Sequence, residues 1–370
     1  MSALERDPAL DGLSMSDNFV PWRFRGRSSG TQFFEVHSPM SVKPFETRQP
    51  LPRVALFAVG GTIAGRADNR TNTTDYKIGS IGARDLIAAV PELAEIAEVS
   101  GEQIANVPSS DVGAEVLLKL AKAISAKLDD PRVKGVVVTH GTDTLAESAF
   151  FIDLTVRTTK PVVFVGAMRP ASAISADGPG NLLQAVALAA SDEAVGRGTL
   201  LTLNDRIGSA FYINKTHTTA LDTFHAYEQG YLGTYINARP RFWYTPATPI
   251  GKPHFDISAM ESLPKVPILY MHQDADDALI DAAIAGGAKG LVIDASGHGS
   301  VRTSTKQRIR ELDQQGFPVI RASRTNNGIV AEKPEGIGAG VYTAGKARWL
   351  LSLAIAAGAS IDEIRRCFRA

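Results

Sequence analysis

Two threonines each follow a short apolar run and a glycine-bearing turn, a setting in which a hydroxyl can act as a nucleophile. Val54-Ala55-Leu56-Phe57-Ala58-Val59 leads into Gly60-Gly61-Thr62-Ile63-Ala64-Gly65, and Val136-Val137-Val138 leads into Thr139-His140-Gly141-Thr142-Asp143-Thr144. A hydroxyl on a tight turn at the end of a central strand is held rigidly where α/β sheets open towards ligand. Two of them, one beside an aspartate, point to hydroxyl-nucleophile chemistry rather than to binding alone.

Other roles compete for the same residues. Gly60-Gly61-Thr62 lacks the spacing of a GxGxxG dinucleotide loop, and no GxxxxGK[ST] follows. Any tight strand-to-helix turn also favours glycine and a helix-capping threonine, and on spacing alone the two readings weigh equally. Thr142-Asp143 precedes a predicted helix, where outward-pointing backbone N–H groups stabilise developing negative charge. Thr142-Asp143-Thr144 could equally cap that helix, and the aspartate could fix a substrate ammonium. A threonine hydroxyl needs a base. Lys215, ten residues after Asp205, could serve if its pKa fell from ~10.4 towards 7–8, a shift of ~4 kcal/mol that demands burial or a structured network. Most lysines are solvated surface charges instead. His140, His217, His225, His272 and His298 show no HExxH or facial-triad spacing, so structural roles fit them better than metal ligation.

The elements that must position these residues follow from periodicity. Predicted strands are 54–59, 136–138, 161–166 and 198–203, with helices over 83–90, 112–128, 145–156 and 180–191. Alternation of this kind, with Val-rich strands, predicts a parallel sheet covered on both faces. Residues 238–267 carry Pro240, Pro246, Pro249, Pro253 and Pro264 without a helical stripe and read as an extended linker. Beyond them, strands 268–271, 290–293 and 318–322 alternate with helices 278–285, 305–314 and 343–357. The expected organisation is an extension (1–52), a larger α/β domain (53–237), the linker (238–267) and a smaller α/β domain (268–370).

Composition narrows the partners. The 370 residues are 44% hydrophobic and 21% charged, and Lys+Arg and Asp+Glu both number 39. Zero net charge gives no global attraction to nucleic acid or an anionic membrane, so a small, locally recognised substrate is expected. Cys367 is the only cysteine, which excludes an intrachain disulfide and a CxxC redox pair. No apolar run approaches the ~18 residues of a membrane span. No basic stretch followed by an apolar segment marks the N-terminus, and a cytoplasmic location is expected.

These segments together resemble one family, the bacterial-type L-asparaginases and glutaminase-asparaginases. Gly60 to Gly65 is similar to the first family signature and Thr139 to Leu145 to the second. Asp75-Tyr76-Lys77-Ile78-Gly79 is similar to the mobile tyrosine loop, and Pro108-Ser109-Ser110-Asp111 to the substrate-binding serine segment. Gly166-Ala167-Met168-Arg169-Pro170 through Pro179 and Asn214-Lys215-Thr216 match as well. The resemblance runs from about Arg53 to the C-terminus.

What the resemblance implies is a flavodoxin-like N-terminal domain and hydrolysis of L-asparagine to L-aspartate and ammonia, without metal or organic cofactor. It implies Thr62 as primary nucleophile, Tyr76 on a loop that closes over substrate, and Thr142, Asp143 and Lys215 as a second, triad-like cluster. Asp143 would bind the α-ammonium, Ser109 and its neighbour Ser110 the α-carboxylate side, and the Thr142 N–H the oxyanion. A homotetramer built as a dimer of dimers is implied, in which Glu335, or Glu332, completes the neighbour's site. Ser110 stands where many members carry glutamine and Ser300 where an asparagine is usual, which opens the choice between asparagine and glutamine. Outside that chemistry stand a non-catalytic amino-acid-binding α/β module and an amidase acting on charged tRNA. The neutral charge argues against the tRNA role.

Overall fold

Along β1 (Arg53–Gly60) the side chains alternate between two apolar clusters: Ala55, Phe57 and Val59 join one, Val54, Leu56 and Ala58 the other. A strand buried on both faces must be apolar throughout, which is why this run reads as continuous rather than alternating. The same division recurs in β3, where Val136 and Val138 face one cluster and Val137 the other. The computed structural model describes residues 50–74 and 81–369. The extension up to residue 49 lies outside the described residues.

After β1 come α1 (Ala83–Ala88), β2 (Glu98–Val107), α2 (Ala114–Leu128), β3 (Val133–Thr139), α3 (Leu145–Thr155), β4 (Val162–Val165), α4 (Gly178–Ala189) and β5 (Thr199–Leu203). These five strands are parallel in the order 2-1-3-4-5, the flavodoxin-like order, whose topological switch point lies between β1 and β3. α2 and α3 cover one face, α1 and α4 the other. α2 does so with Leu117, Leu120, Ala121, Ile124 and Leu128 on one stripe, the helical spacing read in the sequence. α3 is buried on nearly every side.

Within this sheet the parallel expectation holds for these five strands and not for those that follow. β6 (Arg206–Ser209) turns back antiparallel to β5, and a hairpin of β7 (Asn214–Lys215) and β8 (Phe224–His225) branches off. β9 (Gly233–Ile236) and β10 (Arg239–Phe242) then extend the sheet antiparallel. Residues 238–267 are therefore not extended linker from their start, because β10 opens them. An edge strand tolerates Pro240, since proline is excluded only where both sides of the ladder need donors. The β9–β10 turn uses Asn237 and Ala238 at φ 51° and 59°, matching the positive φ pair of a tight hairpin turn.

The second sheet is parallel, in sequential order: β11 (Ile268–Tyr270), β12 (Leu291–Ala295), β13 (Val319–Ser323) and β14 (Ile337–Gly338). α5 (Ala278–Ala285) and α6 (Thr303–Gln314) cover one face through Ile280, Ile309 and Leu312. α7 (Ala344–Ala356) covers the other. Its Leu350 and Leu353 share a cluster with Val292 and Ile320 of the second sheet and Phe150 and Phe151 of α3. α8 (Ile361–Cys367), which has no strong sequence stripe, starts on a reciprocal capping box of Ser360 and Glu363, a device that satisfies two orphan helix donors at once. Cys367 ends it, half-buried.

Candidate active site

The candidate residues gather at the C-terminal ends of β2, β1, β3 and β4, the crevice side of an open α/β sheet. Gly60 stands in register with Val107 and Ala58 with Thr139, so the turns after β1 and β3 emerge side by side. Gly61 has φ 89°, and a Cβ there would lie 2.2 Å from the Gly141 Cα. The two glycine–threonine turns therefore touch backbone to backbone, and only glycine permits it. A Cβ on Gly141 would in turn lie 2.8 Å from the Ser109 Cβ, which brings the serine segment after β2 into the same cluster.

Thr62 opens a short 3-10 turn, Thr62–Ala64, and is 6% exposed. The chain beyond it is pinned to the loop after β4: Ala171 N–H donates to Gly65 O at 2.9 Å and Ala67 N–H to the Ser172 hydroxyl at 2.8 Å. That loop is itself braced. The Asp177 carboxylate accepts from Met168 N and Arg169 N, both at 2.9 Å, and Asn181 Nδ2 donates to Gly166 O and back to Asp177. Gly166 is needed for closeness too, as a Cβ there would meet Thr142 Cγ2 at 3.0 Å.

Lys215 joins the second turn directly. Its Nζ donates to Thr142 Oγ1 at 3.0 Å and to Asp143 Oδ1 at 2.6 Å. Lys215 and Thr142 are largely buried, whereas the Asp143 side chain is 78% exposed, so the carboxylate faces outward. A cleft of about 380 Å³ opens beside it, lined by Asp143, Lys215, Thr216, His217 and Thr218. The expected capping of α3 by this turn is not what forms. The cap residue is Thr144, no side-chain cap bond is made, and the Thr144 hydroxyl donates to Ser109 O at 2.7 Å.

The hairpin that carries Lys215 is locked by its own loop. Thr216 N–H donates to Thr223 O at 2.7 Å, the Thr223 hydroxyl donates to His217 O at 2.6 Å, and Thr219 and Ala220 N–H groups donate to His217 Nδ1. His217 is thus a structural acceptor, and His225 pairs with the Tyr231 hydroxyl at 2.7 Å. His140 is fully buried, its Nδ1 paired with Gly141 O at 2.7 Å. Burial pushes its pKa down to about 4.

Other expected residues stand apart. Tyr76 lies outside the described residues. Ser109 is buried in the cluster, while Ser110 is exposed and within 3.5 Å of Asp111. Ser300 is exposed in the turn after β12, bridged to Ser296, beside a separate cavity of about 340 Å³ that His272, Asp274, Arg302 and Arg324 also line. Glu335 is buried among Lys306 at 3.8 Å and Arg310 at 3.5 Å of its own chain. Burial works against its charge, yet its own backbone amide with Arg310, Lys306 and Arg321 holds the carboxyl below the usual range. Glu332 is more exposed and paired with Arg365 and Arg369. Sequence reasoning missed the bracing role of Asp177 and Asn181, for which the sequence offers only an acidic residue before Gly178-Pro179.

With this geometry in place, the relationship to known proteins is direct. Residues 53–248 match the family described as Asparaginase, N-terminal, and residues 265–368 match the Glutaminase/Asparaginase C-terminal domain. The chain belongs to the asparaginase family. A protein named Probable L-asparaginase 3 from Schizosaccharomyces pombe is 49% identical over 319 residues, spanning 86% of this chain and 89% of that one. L-asparaginase 2 from Bacillus subtilis is 46% identical over 319 residues, spanning 83% and 84%. The crystal structure of a Probable Cytoplasmic L-asparaginase from Campylobacter jejuni matches with a TM-score of 0.82 at 41% identity, covering 86% of this chain and 99% of that chain.

Proposed function

We propose that this chain is an L-asparaginase, which hydrolyses the side-chain amide of L-asparagine to L-aspartate and ammonia. The observation that carries this reading is Lys215 Nζ bonded at once to Thr142 and Asp143, beside a turn that touches the one bearing Thr62. Thr62 Oγ1 attacks the amide carbon, and an acyl-enzyme forms as ammonia leaves with a proton. Water then releases aspartate and restores the hydroxyl. The Thr142 N–H holds the oxyanion, Asp143 the α-ammonium and Ser109 the α-carboxylate, while the Tyr76 loop closes over the site. Lys215 and Thr142 move the proton.

A glutaminase-asparaginase is the second reading, favoured by the short, exposed Ser110 where a longer side chain would narrow the choice of substrate. Ammonia release measured on L-asparagine, L-glutamine and the D-isomers decides between them. Faster release from L-asparagine supports the first reading, comparable rates support the second, and no release from either amide contradicts both.

The two lobes divide within 238–267, the stretch in which one family match ends and the other begins. The assembly is a homotetramer of paired dimers, and a glutamate of the loop before β14 completes the neighbour's site. Glu335 is the first candidate and Glu332 the second; each is engaged by cations of its own chain, Glu335 by Lys306 and Arg310 and Glu332 by Arg365 and Arg369. The location is cytoplasmic, as named for the Campylobacter jejuni protein.

A further inference from the structure

Two consecutive residues of α7 contact both arms of the Lys215–Thr142–Asp143 cluster. Lys346 is 2% exposed, and its Nζ donates to Phe211 O at 3.0 Å and Ile213 O at 2.8 Å. Ile213 lies two residues before Lys215. On the other arm, Glu147 in the first turn of α3, four residues after Asp143, rests against Gly345: a Cβ there would lie 2.5 Å from the Glu147 Cδ.

Apart from Lys346, the segment is held by a local turn, in which Ile213 N–H donates to Ser209 O at 3.0 Å, and by burial of Phe211 and Ile213. Phe211 and Ile213 lie between β6 and β7, outside both ladders. β7 is two residues long and pairs only with β8, so neither larger sheet fixes Lys215. Burying an amine is costly. Burial brings the Lys346 pKa down to about 7, with Asp153 and Glu147 drawing it back up. The amine also sits over the Phe150 ring at 5.6 Å. An apolar side chain would fill that space at less cost, so the retained donor points to what it bonds.

We propose that Lys346 is a positioning residue that sets the distance between Lys215 Nζ and Thr142 Oγ1 by clamping the Phe211–Ile213 backbone to α7 and, through α7, to α3. This rests on the assignment of Lys215 to the reaction. Reacting groups must be held to within about 0.5 Å, and a displacement of about 1 Å made far from the chemistry can cost about 100-fold in rate. Lys346 touches neither Thr142 nor Asp143, and the carbonyls it bonds belong to the segment that leads into Lys215, so its effect is expected to pass through Lys215.

The test is a double-mutant cycle on the full chain, read by ammonia release from L-asparagine. Lys346→Met is expected to lower kcat by about 10- to 100-fold with KM changed by less than about twofold and the far-UV circular dichroism retained. In a Lys215→Met background the same change is expected to alter the residual rate by less than about twofold, because the lever it acts through is gone. A purely structural role would give losses that multiply in the double variant, or a lower thermal midpoint with kcat intact, and either result overturns the clamp. Should Lys346→Met not accumulate, Lys346→Gln, one bond shorter and neutral, carries the same comparison. Full activity in Lys215→Met overturns the assignment of Lys215 and the clamp together, whereas an inactive Lys215→Met beside an unaffected Lys346→Met overturns the clamp alone.

Discussion

The cluster is graded from inside to outside: Thr142 buried, Lys215 nearly so, Asp143 mostly in water. That gradient suits a hydroxyl protected from solvent, a lysine that links it to a carboxylate, and a carboxylate bonded to that lysine through Oδ1 yet open to solvent and a substrate ammonium. Lys215→Met should therefore lower kcat by about 10²–10⁴-fold, the range of a lost proton-transfer group, in steady-state ammonia release. An unchanged kcat would remove Lys215 from the chemistry. His140 also ties stability to acid pH. The His140 pKa is about 4 when folded against 6.5 for a free ring, so the unfolded chain takes up the proton first. The stability His140 contributes is complete above about pH 6.5 and is lost as pH falls towards 4, by up to about 3 kcal/mol. Urea unfolding at pH 7.5 and 5 should show that loss in the parent protein and a smaller one in His140→Gln; equal losses would refute it. At this scale Thr62, Thr142 and Asp143 were legible because each sits in a short motif at a strand end, whereas Ser109 was legible only through the resemblance of its segment to the family's. Lys215 was legible only weakly, since a lysine's burial depends on a hairpin with no apolar stripe. Lys346 was not legible, because its acceptors are backbone carbonyls more than a hundred residues away.

The strand order explains why two turns 80 residues apart share one site. In a 2-1-3-4-5 sheet, β1 and β3 are neighbours although β2 lies between them in sequence, and the switch point falls between Thr62 and Thr142. The closeness depends on Gly61. Gly61→Ala would place a Cβ 2.2 Å from the Gly141 Cα at a φ of 89°, and should destabilise by roughly 2–5 kcal/mol, combining left-handed strain with overpacking. Chemical denaturation measures this, and a loss below about 1 kcal/mol would show that the turns can part cheaply. The apolar strands β1, β3, β4 and β5 could be read directly. β2 could not, because only Ile104 of its ten residues is fully buried and Glu98, Ser100 and Glu102 are exposed. β10 was hidden by the proline signal, whose meaning changes at a sheet edge.

Across the whole molecule, α7 joins the two sheets through one continuous apolar cluster, so the C-terminal lobe supports the site although it supplies no member of the Lys215 cluster. The proposed tetramer rests on the resemblance alone: sedimentation of the full chain should then give a species near four times the 39.4 kDa of one chain, and a stable monomer with full activity would rule out a shared site. The alternation of strands and helices made both lobes legible, but contacts between lobes or between chains leave no period in a sequence. The proposal that Thr62 begins an amide hydrolysis is tested by the rate of ammonia release from L-asparagine by the full chain and by Thr62→Ala. The parent should release ammonia while Thr62→Ala, with its circular dichroism unchanged, falls by at least about 10³-fold. Ammonia release by Thr62→Ala at the parent's rate would remove Thr62 from the role of nucleophile.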